Sequence, residues 1–210
     1  MKRIQKIAVI GGGGRTGQYL VNQLIEKGYP LKLLLRHPEN FTIQSPLVSI
    51  VHGDVLDAHA VHELVEGCDA VLSTVGQRKG EPLVASGAIL NVLNAAGGRP
   101  VRYVVLAGLN VDAPTDVKGE ETQKATEWMR STFPEIHADR QKSYELLAQS
   151  DAGWTMVRVP YIEFNGDRSE VKVSATDSPG TRIDAADIAA FMIAQLTDDT
   201  WLRKAPFISN

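Results

Sequence analysis

Ile7-Ala8-Val9-Ile10-Gly11-Gly12-Gly13-Gly14-Arg15-Thr16-Gly17 is the stretch on which the reading of the chain turns. A short apolar, largely β-branched run spells a buried strand, and the glycines after it fit the spacing Gly11, Gly14, Gly17 at the entrance to a helix. The first glycine supplies a tight turn, the second lets backbone approach a pyrophosphate, and the third lets the helix pack closely on the strand. Free N–H groups at the helix start would bind phosphate oxygens, and Gly13, Arg15 and Thr16 belong to the same loop. A bare flexible loop would also tolerate four glycines, but the strand before and the amphipathic helix after argue for a phosphate cradle.

Outward from this loop, strand-like runs at 31–35, 48–51, 70–75 and 101–106 alternate with helical patterns. The first helix is expected over 16–27, closed by Gly28; the next is capped by Asp57, with Val61, Leu64 and Val65 inward and His59, His62 and Glu63 outward. A further helix is expected over 82–96. Residues 110–118 read as a loop where substrates bind, followed by a helix over 140–149 and a strand over 154–159 ended by Pro160. Residues 165–180 are turn-rich, Asp184 and Asp187 bracket the start of an Ala-rich helix, and 206–208 is the last strand candidate. The expected fold is a doubly wound α/β domain, a mainly parallel Rossmann sheet in one unit over 1–210 with a small C-terminal substrate-side region.

Cofactor choice is read at the end of the second strand, Leu34-Leu35-Arg36-His37-Pro38. An acid there would accept hydrogen bonds from a free ribose 2′-hydroxyl, whereas the planar fork of Arg36 suits a 2′-phosphate, so NADP(H) is expected over NAD. Arg15 could clamp that phosphate from the other side; either arginine read alone could also be a solvated surface charge. Asp54 is placed either to accept the adenine amino group, with Val55 against the ring, or in a plain turn before Asp57. Thr74, Val75 and Gly76, small residues at the end of the fourth strand, form a second group of cofactor contacts. Gln77, Arg78 and Lys79 after them could meet a phosphate or an acidic substrate, or simply be solvated.

The 210 residues have 43% apolar and 22% charged content and a net charge of −3, which matches a globular chain and argues against a nucleic-acid footprint. No apolar run reaches the roughly 20 residues of a membrane span, the N-terminus lacks a secretory pattern, and the lone Cys68 suits a reducing cytoplasm. Helix-face His59, His62 and Glu63 are read as solvated rather than as a metal site, and Ser86-Gly87 forms no nucleophile elbow.

Taken together, the glycine loop, Leu34-Leu35-Arg36-His37-Pro38, Val51-His52-Gly53-Asp54-Val55, Asp69-Ala70-Val71-Leu72-Ser73-Thr74-Val75-Gly76, Trp154-Thr155-Met156-Val157-Arg158-Val159-Pro160 and Ile183-Asp184-Ala185-Ala186-Asp187-Ile188-Ala189 are in the order seen in atypical short-chain dehydrogenase/reductases. The chain resembles especially the NmrA-like proteins and the biliverdin-IXβ/flavin reductases. That resemblance implies NADP phosphate binding by Arg15, Thr16 and Arg36, adenine contact by Asp54 and Val55, and a nicotinamide shelf near Pro160 and Tyr161.

Most short-chain reductases carry a Ser at the end of strand five and a Tyr-x-x-x-Lys pair on the next helix to deliver a proton. Here Ala107-Gly108-Leu109-Asn110 and Ala138 with Lys142 stand in those places, so no catalytic residue is assigned; Asn110, Lys142, Tyr144 and Tyr161 remain substrate-side candidates. The implied function is NADPH-dependent hydride transfer to a small flat conjugated acceptor such as a flavin or quinone. The alternative is a non-catalytic NAD(P) sensor whose occupancy changes binding to a protein partner; an epimerase or dehydratase would need a placed acid or base.

Overall fold

The computed structural model describes residues 4–77, 80–81 and 83–210. Its first strand, β1 (Ile7–Ile10), is buried along its length, with Ala8 and Ile10 in one apolar cluster and Ile7 and Val9 in another. A strand covered on both faces needs apolar residues at every position, and successive side chains enter opposite layers. The chain continues through α1 (Arg15–Glu26), β2 (Leu31–Leu35), β3 (Val48–His52), α2 (Ala58–Val65), β4 (Ala70–Ser73) and α3 (Ala85–Ala96). Then come β5 (Arg102–Gly108), α4 (Glu120–Thr132), α5 (Pro134–Gln149), β6 (Gly153–Val159), β7 (Tyr161–Glu163), β8 (Lys172–Ser174), β9 (Arg182–Asp184), α6 (Ala185–Ala194) and β10 (Phe207–Ser209).

Among the described residues, eight strands form one sheet in the order β3-β2-β1-β4-β5-β6-β10-β8, parallel except for β8, while β7 and β9 make a separate parallel pair. Leu20 and Leu24 of α1 and Ile188 and Met192 of α6 pack on one face. Val61 and Leu64 of α2, Ile89 and Val92 of α3 and Leu147 of α5 pack on the other. The strand order reverses between β1 and β4, so the segments leaving their carboxyl ends diverge and open a crevice, the position where open α/β sheets bind ligands.

The expected caps are present: the Asp57 carboxylate accepts from His59 N at 2.9 Å and that of Asp184 from Ala186 N at 2.8 Å. The helix expected over 82–96 begins at Ala85 among the described residues; Pro82 lies outside them. Its cap comes from a distant element, since the Asp139 carboxylate on α5 accepts from Ala85 N at 2.7 Å and Ser86 N at 3.2 Å.

Four expectations are corrected. Strand β4 ends at Ser73 rather than 75, because Gly11 turns the neighbouring backbone away at φ +81° and leaves Val75 no ladder partner. Strand β5 runs on to Gly108, where it still pairs with Val159. The helix expected from 140 starts at Pro134, with α4 before it unforeseen; α4 buries only Thr122 and Thr126, and its apolar Ala125, Trp128 and Met129 are too sparse among charged neighbours to stand out as a periodic pattern. Pro160 does end β6, yet the chain re-pairs at once as β7, and the turn-rich stretch contains β8. No helix among the described residues is long and apolar enough to cross a membrane.

Candidate functional site

At the switch point lies a cleft of about 980 Å³, walled by Gly11, Gly13, Gly14, Arg15 and Thr16 on one side and Thr74, Val75 and Gly76 on the other. Gly11 is turned to positive φ, and a Cβ there would lie 2.9 Å from Thr74 C and Val75 N, so only glycine lets the two loops meet. Thr74 fastens the junction, its N–H donating to Ile10 O at 2.9 Å and its hydroxyl to Gly11 O at 3.2 Å. The capping position of α1 is Gly14, which offers no side-chain acceptor, so the first N–H groups of the helix are left for an anion from the cleft. Gly17 is buried behind the turn rather than on the cleft wall, and its role is the close packing of helix on loop.

The far end of the cleft carries Arg36, whose fork is already engaged. Nη1 and Nη2 lie 2.9 and 3.2 Å from the two carboxylate oxygens of Glu81, and Nη1 lies 3.7 Å from Asp54. Asp54 also accepts from Leu56 N at 2.8 Å, which makes the turn before Asp57 real while one face of the carboxylate still borders the cleft. Val55 lines the cleft floor but is only 6% exposed, because most of its side chain belongs to the core. Arg15 stacks on Phe164, 3.6 Å above the ring centroid. Phe164 reaches the cleft because the Asp184 carboxylate holds Asn165 N and Gly166 N at 2.9 and 3.2 Å, and Tyr19 donates to Phe164 O at 3.2 Å. Gln77 lines the cleft; Arg78 and Lys79 lie outside the described residues.

Pro160 and Tyr161 line a second cavity, of about 550 Å³, rather than the glycine-loop cleft. This cavity sits at the carboxyl ends of β5 and β6, the same end of the sheet as the cleft, and shares no lining residue with it. Gly108, Leu109, Asn110 and Val159 form one wall, and α4 forms another with Ala125, Trp128 and Met129. Trp128 and Tyr161 are 58% and 74% exposed, so their rings stand at the mouth.

Asn110 is buried, with its Nδ2 3.1 Å from His137 Nδ1. The bond requires that nitrogen to be unprotonated. Burial pushes the His137 imidazole below its ordinary value, with the Arg130 charge acting the same way; Asp112, Lys118 and Glu127 also face it. The unfolded chain therefore takes up this proton first as pH falls through about 6.5, so stability is lost on the acid side and retained above it. A His137→Gln variant is expected to show a flatter fall in Tm between about pH 7 and 5 than the parent; parallel curves would remove His137 from the acid response.

Of the other candidates, Lys142 is exposed on α5, as is Ala138, while Asp139 and Ser143 of the same helix face inward. Tyr144 packs edge-on against Trp154, centroids 5.9 Å apart, and lines neither cavity. His59, His62 and Glu63 are exposed on α2, and burial raises the pKa of Cys68, whose Sγ contacts Leu64 O. Sequence reasoning missed Phe164, Glu81 and all of α4. The acids Glu120 and Glu121 followed by Arg130 and Pro134 are the helix-boundary signal that could have exposed α4.

A mostly parallel doubly wound sheet with a glycine turn and an uncapped helix start at its switch point defines a dinucleotide-binding protein of the Rossmann type. The profile of the NAD(P)H-binding family matches residues 11–199, and the chain belongs to that family. A (4-alkanoyl-5-oxo-2,5-dihydrofuran-3-yl)methyl phosphate reductase from Streptomyces griseus is 26% identical over 199 residues, 91% of this chain and 63% of the relative. Cinnamoyl-CoA reductase 1 from Petunia hybrida is 30% identical over 113 residues, 48% of this chain and 34% of the relative. The chain thus spans less than two thirds of the length of either curated relative. Among solved structures, ChuY, an anaerobillin reductase from Escherichia coli O157:H7, superposes with a TM-score of 0.80 at 15% identity, covering 98% of this chain and 97% of that one. A short-chain dehydrogenase/reductase from Veillonella parvula in complex with NADP gives 0.79 at 12% identity, covering 99% and 95%. At these identities the likeness shows the fold.

Proposed function

We propose that the protein is an NADPH-dependent reductase that passes hydride to a flat, conjugated acceptor. The observation that carries this reading is the apolar cavity lined by Trp128 and Tyr161 at the carboxyl ends of β5 and β6, the same end of the sheet as the dinucleotide cleft at β1 and β4. When bound, the reduced nicotinamide supplies a hydride, and with one proton from solvent the acceptor becomes its two-electron-reduced form, leaving NADP⁺. In this reading the N–H groups of the glycine loop and α1 hold the pyrophosphate, Asp54 and Val55 border the adenine, and Thr74 to Gly76 support the chain of the cofactor. Pro160 and Tyr161 shape the acceptor side. Solvent protonation is supported by Ala107, by the engagement of Asn110 with His137, and by the exposed positions of Ala138 and Lys142. Positioning then does the work that a proton-delivery pair does in ordinary members of this class.

Preference for the 2′-phosphate rests on Arg36 exchanging Glu81 for a doubly charged ligand. The Arg36→Glu variant is expected to weaken NADPH binding about 100-fold and NADH binding only a few-fold, by removing an ion pair and adding repulsion. Equal losses in a fluorescence titration would defeat this account of selectivity. The reading as a whole is tested by titrating the purified protein with NADPH and NADH, then following nicotinamide absorbance after adding a quinone and a flavin. Steady NADPH oxidation is expected; tight binding without turnover would favour the sensor reading instead.

A further inference from the structure

The acceptor cavity is lined by three carboxylates, Glu120, Glu121 and Asp177, and by no Lys, Arg or His among the described residues. They do not stand alike. Asp177 fills the start of α4, the place where a helix would otherwise attract an anionic ligand: a Cβ on Gly119 would meet its Oδ2 at 2.8 Å, and Ser178 N donates to its Oδ1 at 2.8 Å. Burial pushes its carboxyl up, but hydrogen bonds from Thr122, Gly119 and Ser178 and the charge of Lys118 outweigh this and hold it below the usual range. It is a fixed negative charge whose helix terminus is already used. Glu120 is exposed and shares its charge with Lys124, one turn along α4. Glu121 is exposed beside it in the first helical turn. The nearby cation Lys118 is 7% exposed and committed to Asp112 at 2.6 Å, so it offers little to a ligand in the cavity.

The walls between these charges are apolar and aromatic, with Trp128, Met129 and Tyr161 available to a ring. A planar uncharged ring system gains from this surface and meets no repulsion. An acceptor carrying a phosphate or carboxylate would bring its charge toward three carboxylates with no described cation in the lining to receive it. We propose that this cavity selects uncharged planar acceptors and rejects anionic ones, so that of two flavins with one ring system it takes riboflavin in preference to its 5′-phosphate. This deepens the reductase reading and rests on it for the identity of the cavity as the acceptor site.

Binding and turnover can be separated. Riboflavin and FMN are each titrated by fluorescence quenching into protein saturated with NADP⁺, where no reduction occurs. Riboflavin is expected to bind about tenfold more tightly at low salt. That ratio should shrink as the Debye length falls from about 10 Å at 0.1 M salt to about 3 Å at 1 M. It should shrink also in the Glu120→Gln/Glu121→Gln variant. Equal affinities, tighter FMN binding, a ratio unmoved by salt and substitution, or no binding of either flavin would overturn the proposal. NADPH oxidation with riboflavin is measured beside it: selective binding without turnover would sink the reductase reading and leave the charge selection standing.

Discussion

Replacing Gly17 with alanine is expected to lower NADPH affinity by more than about 100-fold, equivalent to about 2.7 kcal/mol. A Cβ at this position would lie 2.0 Å from Gly11 O and 2.8 Å from both Gly11 C and Gly12 Cα. All three are backbone atoms of the turn, so no side chain can rotate aside; α1 must move off the loop or the loop must open. Either shift disperses the N–H groups that converge on the cleft, and their convergence is what makes the terminus an anion site. A calorimetric titration with NADPH, beside a Tm measurement, checks this. Wild-type affinity in Gly17→Ala would show that the loop reaches its ligand without the close approach drawn from the structure.

The largest loss of stability is expected at a residue outside both cavities. Arg158 of β6 is fully buried, stacked 3.5 Å over the Phe207 ring, and donates to Ala205 O and Val111 O at 2.8 Å and to both oxygens of Asp116 at 2.7 and 2.8 Å. It ties the loop after β5 to β6 and to the segment before β10. Arg158→Met leaves the Asp116 side chain, 9% exposed, with the Ala113 N–H at 2.9 Å and Lys118 at 3.9 Å to offset it, takes the Arg158 donor away from Ala205 O, and leaves Val111 O to Lys118 Nζ at 3.3 Å. Breaking one side of a buried pair costs about 3–5 kcal/mol, which for a domain of this size lowers Tm by about 10 °C. The Arg158→Met/Asp116→Leu double variant is expected to regain part of it, because the stranded charge is gone. If the single variant melted with the parent, the network would be ornament.

The apolar runs of β1, β2, β4 and β5 are legible because burial on both faces leaves composition itself as the signal. Asp57 and Asp184 are legible as caps because a cap acts within a few residues of chain. The place of Arg36 on the cleft wall follows from its position at the end of β2, next to the glycine turn. Glu81, 45 residues further on, was not legible, since nothing local records that it comes back to the same guanidinium. Phe164 is brought to Arg15 by Asp184 and Tyr19, and α4 closes the second cavity with a face poor in buried apolar groups.

The sequence by itself therefore determined the alternating strands and helices, the glycine turn and the uncapped start of the first helix, because each is written in adjacent residues by burial, φ or a missing Cβ. Only the tertiary structure decided which charges face each other: Arg36 with Glu81, Asp177 at the start of α4, Arg158 with Asp116. Coulomb and hydrogen-bond energies act through distance in space, and residues far apart along the chain acquire that distance only when the sheet closes its order around β1 and β4.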